Sequence, residues 1–308
     1  MNSTRAVWVL LFSSSLWGLT WWPLKQFSAQ GLSGPLLAML TYGFAGLLGI
    51  AVLVAQRKAL RTHVLMWLLS ALIGGWGNTA FVSAMVLGDV VRVMLLFYLA
   101  PVWSVLGGRL ILGERVSPRR ATAVGLSLAG AFLVVGGMAA FYTPPGAADV
   151  LAITAGLAFS GNNILARKAQ GIPTAAKSVA VLLGCGFTSW VMLAVLGGTS
   201  GAAGAGGDVH SVSPFTPALL LALAAFSLLW MGLVTYTWQW SVTRLEAGRS
   251  GVIAIAELVV AVLSATLLGS ESLSAREAMG GALIALAAVL EATDSSSVSV
   301  PALNTKPQ

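Results

Sequence analysis

The chain has 308 residues, 57% hydrophobic and only 9% charged, with a formal net charge of +7; its mean hydropathy is +0.88 and its pI about 10.1. Soluble domains carry about 25% charged residues, and a soluble fold of this length has too little interior to hide so much apolar surface. The composition excludes a soluble enzyme or regulatory domain, and the basic residues are scattered among loops rather than gathered on one face, which argues against a nucleic-acid partner.

Apolar runs long enough to cross the hydrocarbon core fall at about 6–27, 34–55, 64–87, 92–112, 119–140, 147–167, 175–197, 216–241, 248–269 and 275–292. The first follows Arg5 and ends near Phe27, Ser28 and Ala29, in loose likeness to a secretory signal, but its length and its counterpart in the second half favour a membrane helix. None of the runs alternates polar with apolar as barrel strands do. The fold class read from this pattern is an all-α integral membrane protein with ten transmembrane helices. The connection at 198–217, rich in Gly, Ala and Ser, reads as a flexible outer loop. Residues 293–308, with a serine run and two prolines, read as a disordered cytoplasmic tail.

Charge sets the orientation. With the N-terminus inside, the inner segments hold Arg5, then Arg57, Lys58 and Arg61, then Arg109, Arg115, Arg119 and Arg120, then Arg167, Lys168 and Lys177, then Arg244 and Arg249, and finally Lys306. Of the 17 basic residues only Lys25, Arg92 and Arg276 fall outside. That bias predicts both termini in the cytoplasm.

The chain also repeats itself. Glu114, Ser117, Arg119 and Ala121 recur 157 residues later as Glu271, Ser274, Arg276 and Ala278, and Arg92, Val102, Val105, Leu106 and Leu110 recur as Arg249, Val259, Val262, Leu263 and Leu267. The first helices match at a smaller offset of about 143, placing Gly18 on Gly161 and Lys25 on Lys168. Residues 1–143 and 144–292 therefore read as two five-helix repeats. An odd number of crossings forces opposite insertion, so they are inverted-topology repeats, an arrangement suited to alternating access.

Few residues can carry chemistry. Cys185 is the only cysteine, and His63 and His210 lie far apart in or beside loops, so no disulfide, metal site or catalytic triad is expected, and neither a cofactor nor enzyme activity. Glu257 sits at the centre of the ninth run, where a carboxyl serves a proton or a substrate amine, or is hydrogen-bonded in a packed helix pair. Asn78, Asn162 and Asn163 are amides well inside apolar runs, placed for a substrate or for interhelical bonding. Among 11 tryptophans, many at membrane ends, Trp17 and Trp21 share one helix face, and with Tyr98 and Trp238 they form a candidate aromatic box or ordinary core packing. Pro101, in mid-run, is a candidate hinge. Asp89 with Arg92, and Glu246 with Arg249, are acid and base pairs that either gate or merely set topology, while Lys25, Arg167 and Lys168 are expected to snorkel to the interface.

Further motifs carry a resemblance. The first half has Ala80-Phe81-x-Ser83-Ala84-Met85, Leu99-Ala100-Pro101-Val102 and Gly113-Glu114-Arg115-Val116-Ser117; the second has Gly269-Ser270-Glu271-Ser272-Leu273-Ser274, with Ala256-Glu257-Leu258 replacing a customary proline segment. These resemble the repeats of the drug/metabolite transporter superfamily in its EamA-type branch, and within it the YddG-type exporters. The resemblance implies a bacterial inner-membrane protein and export of aromatic or bulky apolar amino acids, or similar small metabolites, by uniport or a gradient. Proton-antiporting export of lipophilic cations is the alternative, and a membrane sensor or scaffold the alternative outside transport. No ATP-binding loop motif occurs. The expected partners are an amino-acid-like solute and the bilayer; whether a proton is also a partner, and the oligomeric state, are left open.

Overall fold

The structure is a computed structural model that describes residues 3–111, 116–138, 145–168, 171–200, 216–242, 244–245, 247–269 and 271–292. Its elements are α1 (Ser3–Leu19), α2 (Trp21–Ser28), α3 (Gly34–Leu48), α4 (Ile50–Ala55), α5 (Arg57–Thr62), α6 (Val64–Leu87), α7 (Val90–Phe97), α8 (Ala100–Ile111), α9 (Pro118–Val135), α10 (Ala147–Lys168), α11 (Thr174–Ser200), α12 (Pro217–Ala225), a π-helical stretch (Phe226–Gly232), α13 (Leu233–Val242), α14 (Ala247–Leu268) and α15 (Ala275–Ala292). No strand occurs among the described residues. Among the described residues, five helical stretches are long and apolar enough to cross a membrane: Gly34–Ala55, Val64–Leu87, Ala147–Ala166, Thr174–Leu196 and Pro217–Val242. Large apolar side chains cover the outside, including Leu110 and Leu267, which are 81% and 79% exposed. Such a surface is stable only against lipid, so this is a multi-pass membrane protein.

The described part of each apolar run read from the sequence is largely helical, but several runs are broken, each for a local reason. In the first run the break falls at Thr20, whose Oγ1 donates to the Leu16 carbonyl at 2.9 Å. Pro23 follows and cannot supply the amide that would bond Leu19. The fourth run breaks at Tyr98–Leu99, so Pro101 is the second residue of α8 rather than a kink within one helix. Its missing amide releases the Phe97 carbonyl, and Gly156 on α10 faces that carbonyl so closely that a Cβ would not fit. The eighth run passes through the π-helical stretch, where the Ser227 hydroxyl bonds the Thr41 carbonyl and Trp230 Nε1 donates to Thr20 Oγ1 at 3.0 Å. The fifth helix ends earlier than the sequence suggests, at Val135, because Gly136 turns left-handed with φ of 118°.

The recurring Ser-x-Arg motif has a structural basis. Ser117 Oγ accepts from Arg120 N at 3.2 Å at the start of α9. Ser274 and Glu277 form a capping box at the start of α15, each side chain accepting the other's backbone amide at 3.2 and 3.0 Å. Glu114, Arg115 and the tail lie outside the described residues, as does most of the 198–217 loop.

Packing runs α6 against α10 and α11, α3 against α11, α1 against α13 and α14, and α9 against α15. Glycines bring two of these seams into backbone contact. A Cβ at Gly186 on α11 would lie 3.0 Å from the Gly43 Cα on α3, and a Cβ at Gly280 on α15 would lie 2.7 Å from the Gly130 carbonyl on α9. Gly280→Val should therefore force α9 and α15 apart, at about 1–3 kcal/mol, and lower the melting midpoint in detergent by about 3–10 °C. An unchanged midpoint would mean this seam does not hold the fold.

Candidate functional site

One cavity lies between the two sequence halves. It encloses about 70 Å³ and is lined by Trp17 of α1, Gly74, Gly77, Asn78 and Phe81 of α6, Phe97 of α7, Phe159, Asn162 and Asn163 of α10, Val181 of α11, Thr235, Trp238 and Gln239 of α13, and Glu257 of α14. A buried water needs roughly 10–15 Å³ of such space, so several waters fit, and a bulkier solute needs side chains to move. The lining positions on α6, α10 and α13 are spaced by three and four residues, so each helix offers one face.

Two of those faces correspond. Asn78 and Phe81 on α6 stand 157 residues before Thr235 and Trp238 on α13, and both pairs line the cavity. At that offset each pair supplies a polar residue and an aromatic ring.

Aromatic rings form an arc around the space. Trp17 meets Phe81 at 6.2 Å between centroids, Phe81 meets Phe97 at 4.9 Å, Phe97 meets Phe159 at 5.4 Å, and Phe159 meets Trp238 at 5.9 Å. Three of the contacts are edge-on or nearly so, which suits the ring quadrupoles and fixes their orientation. Phe81, Phe97 and Phe159 did not stand out in the sequence because phenylalanine inside an apolar run looks like core.

The polar groups are few and oriented. Asn78 Nδ2 donates to the Gly74 carbonyl at 2.9 Å, one turn back on its own helix, leaving its oxygen available as an acceptor. Asn162 Oδ1 accepts from Ser70 Oγ at 2.7 Å. Thr235 Oγ1 is buried without a hydrogen-bond partner among the described residues, an unmet valence that a water or solute would fill. Gln239 and Thr235 could have been flagged by the rule that singled out the asparagines, since both are polar within an apolar run.

Glu257 is buried, 5% exposed, and lies beside Tyr98. The Tyr98 hydroxyl donates to the Ala254 carbonyl at 2.7 Å and stands 3.1 Å from Glu257 Oε2. A phenol has one proton, and the carbonyl can only accept. A protonated Glu257 completes this arrangement by donating to the Tyr98 oxygen; an ionised one would draw the Tyr98 proton from Ala254. Tyr98 therefore links the break between α7 and α8 to α14 through two alternative hydrogen-bond patterns. No basic side chain appears among the described lining residues.

Of the residues singled out from sequence, Trp17, Asn78, Asn162, Asn163, Trp238 and Glu257 line the cavity, whereas Trp21 and Tyr98 do not. Trp21 faces the other side of the bend at Thr20, buried, with Nε1 donating to Ser264 Oγ at 2.8 Å. Lys25 Nζ donates to the Gly88 carbonyl at 2.8 Å, at the end of α6. Arg92 pairs with Asp149 at 2.6 Å rather than with Asp89. Glu246 and the side chains of Arg167, Lys168 and Arg249 lie outside what is described, as does the Pro101 ring. No cluster of three or more His, Cys, Asp or Glu suited to a metal occurs among the described residues.

Residues 4–136 match the model of the EamA-like transporter family. No curated protein matches the chain. A solved crystal structure, described only as that of a protein, aligns with a TM-score of 0.60 over 94% of this chain and 96% of its own, at 21% identity, which shows a shared fold.

Asn78→Ala should weaken solute affinity about 2–10-fold, the worth of one hydrogen bond, with an unchanged gel-filtration profile. Trp21→Phe should leave affinity within about twofold. The reverse ranking would move the site away from the cavity.

Proposed function

We propose that the protein is a ten-span inner-membrane exporter of aromatic or bulky apolar amino acids, working by alternating access between inverted five-helix repeats with both termini cytoplasmic. The observation that carries this is the cavity itself, where aromatic rings, amides and one carboxyl converge between the halves. An apolar side chain would stack within the arc of rings, its ammonium would face Glu257 and the Asn78 oxygen, and its carboxylate would take amide hydrogens.

The packing supports the repeat. Exchanging the halves turns the contact of α6 with α10 into that of α13 with α1, and the contact of α7 and α8 with α10 into that of α14 with α1, while α3 with α11 and α9 with α15 map onto themselves. Gly43 and Gly186, at a self-paired seam, are separated by the same 143 residues as the matching first helices. Near-equivalent halves can exchange shapes at small energetic cost, as alternating access requires. A solute-free carrier also fits the two hydrogen-bond patterns of Tyr98 and Glu257, one for each protonation state, so proton coupling belongs to the proposal.

A second reading, antiport of lipophilic cations, is favoured by the presence of an acid without a base among the described lining residues. Proteoliposome uptake separates the two. Labelled tryptophan or phenylalanine should show saturable flux; flux of cationic dyes alone would select the second reading, and flux of neither would overturn both. In either case Glu257→Gln should remove the pH dependence of wild-type flux, and a retained pH profile would exclude Glu257 as the coupling group. For orientation, a cysteine placed within 201–215 in a Cys185→Ser background should react with an impermeant thiol reagent on intact cells; reaction only after permeabilisation would reverse the proposed topology.

A further inference from the structure

At one end of the bundle, polar connections converge on the first turn of α7. The Arg92 guanidinium grips the Asp149 carboxylate of α10 with two bonds, Nε to Oδ1 at 2.6 Å and Nη2 to Oδ2 at 2.7 Å, and its Nη1 donates to the Val134 carbonyl of α9 at 3.1 Å. Asp89, at the cap position of α7, makes no side-chain cap bond. Instead Glu271, from the turn between α14 and α15, accepts the Val90 and Val91 amides at 3.0 and 3.1 Å. Lys25 of α2 ties the preceding Gly88 carbonyl at 2.8 Å. Arg92 and the α7 amides belong to the first half, Asp149 and Glu271 to the second, so both carboxylates bridge the halves.

The cavity is displaced from this clamp. At 1.5 Å per residue, Gln239 lies about 4.5 Å from the end of α13, Asn163 about 7.5 Å from the end of α10 and Val181 about 10 Å from the start of α11, all at the opposite end of the bundle. Toward the clamp, Phe81 lies about 9 Å from the end of α6, Glu257 about 16 Å from the end of α14 and Phe159 about 18 Å from the start of α10.

We propose that Arg92, Asp149 and Glu271 form the shut gate of the transporter, closing the cavity at the clamp end in this conformation and releasing together when that end opens. The proposal rests on the transport reading above. Mechanically, α7 is a short helix ending at the Tyr98–Leu99 break, so its first turn can swing once the carboxylates let go. Phe97 of α7 and Phe159 of α10 meet at 5.4 Å on the cavity wall, and the Arg92–Asp149 pair joins the same two helices nearer the end. Parting the helices at the pair would part the rings and open a route. The Arg92 side chain is 29% exposed, so water can take over its hydrogen bonds when the pair opens, whereas Asp149, 7% exposed, gains water only by that movement.

The test reads accessibility and needs no solute. In a Cys185→Ser background, single cysteines at Phe81→Cys and, separately, Val181→Cys are reacted with a membrane-impermeant thiol reagent applied from either face. Adding Glu271→Gln with Asp149→Asn should raise labelling at position 81 from the clamp face about five- to tenfold and lower labelling at position 181 from the opposite face by a similar factor. No change at either position would overturn the gate. A rise at both would also overturn it, because that pattern is loosened packing. Reciprocal labelling in vesicles that carry neither amino acids nor cations would uphold the gate and defeat the solute assignment.

Discussion

Inside a bilayer no water is available to satisfy a buried polar group, so each one must find a partner within the protein or face a wet cavity. That constraint sorts the polar residues of this chain. Most of them join helices: Thr79 Oγ1 contacts Thr188 and Ser189 of α11 at 2.7 and 2.8 Å, Ser13 donates to Thr237 at 2.7 Å, and Trp21 donates to Ser264. Among the groups facing an interior space are the Asn78 oxygen, the Thr235 hydroxyl and the Glu257 carboxyl, one oxygen of which lies beside the Tyr98 hydroxyl.

The same helices that zip the bundle are interrupted where movement would be needed. Breaks at Thr20, Gly49 and Tyr98–Leu99 and the π-helical stretch at Phe226–Gly232 replace long rigid rods with shorter ones. Irregular turns of this kind often coincide with functional positions. Here Thr20 and Trp230 bond one irregularity to another across the halves, and Tyr98 bonds a third to α14 beside Glu257. Against these soft points stands the clamp on α7. Removing one partner from a buried ion pair costs about 3–5 kcal/mol, and because the Arg92 side chain is 29% exposed, loss of its partner would cost less than that.

The helices were legible because apolar length is a direct signal: the runs at 64–87 and 275–292 coincide with α6 and α15 end for end. The breaks were less legible. The π-helical stretch bonds other helices through Ser227 and Trp230, which no local pattern encodes, although Pro101 hinted at the break in the fourth run. Within the site, Glu257 and the asparagines stood out because a polar group in a hydrophobic run is anomalous, while Phe81 and Phe159 did not. Charge pairing was misjudged for a clear reason. Asp89 is three residues from Arg92 in sequence, yet at the start of α7 it lies at the cap, and the guanidinium reaches Asp149 across the helix interface instead. The repeated Glu-x-x-Ser-x-Arg motif looked like a family marker; Glu271 and Ser274 turn out to cap helices.

The central claim is that the cavity between the halves is where the solute binds, and photolabelling with a photoreactive tryptophan analogue, mapped by mass spectrometry, tests it most directly. The account predicts that labelling competed by tryptophan falls in peptides carrying Gly74–Phe81, Phe159–Asn163 and Thr235–Gln239. Competed labelling confined to lipid-facing residues such as Trp8 or Trp22 would contradict it.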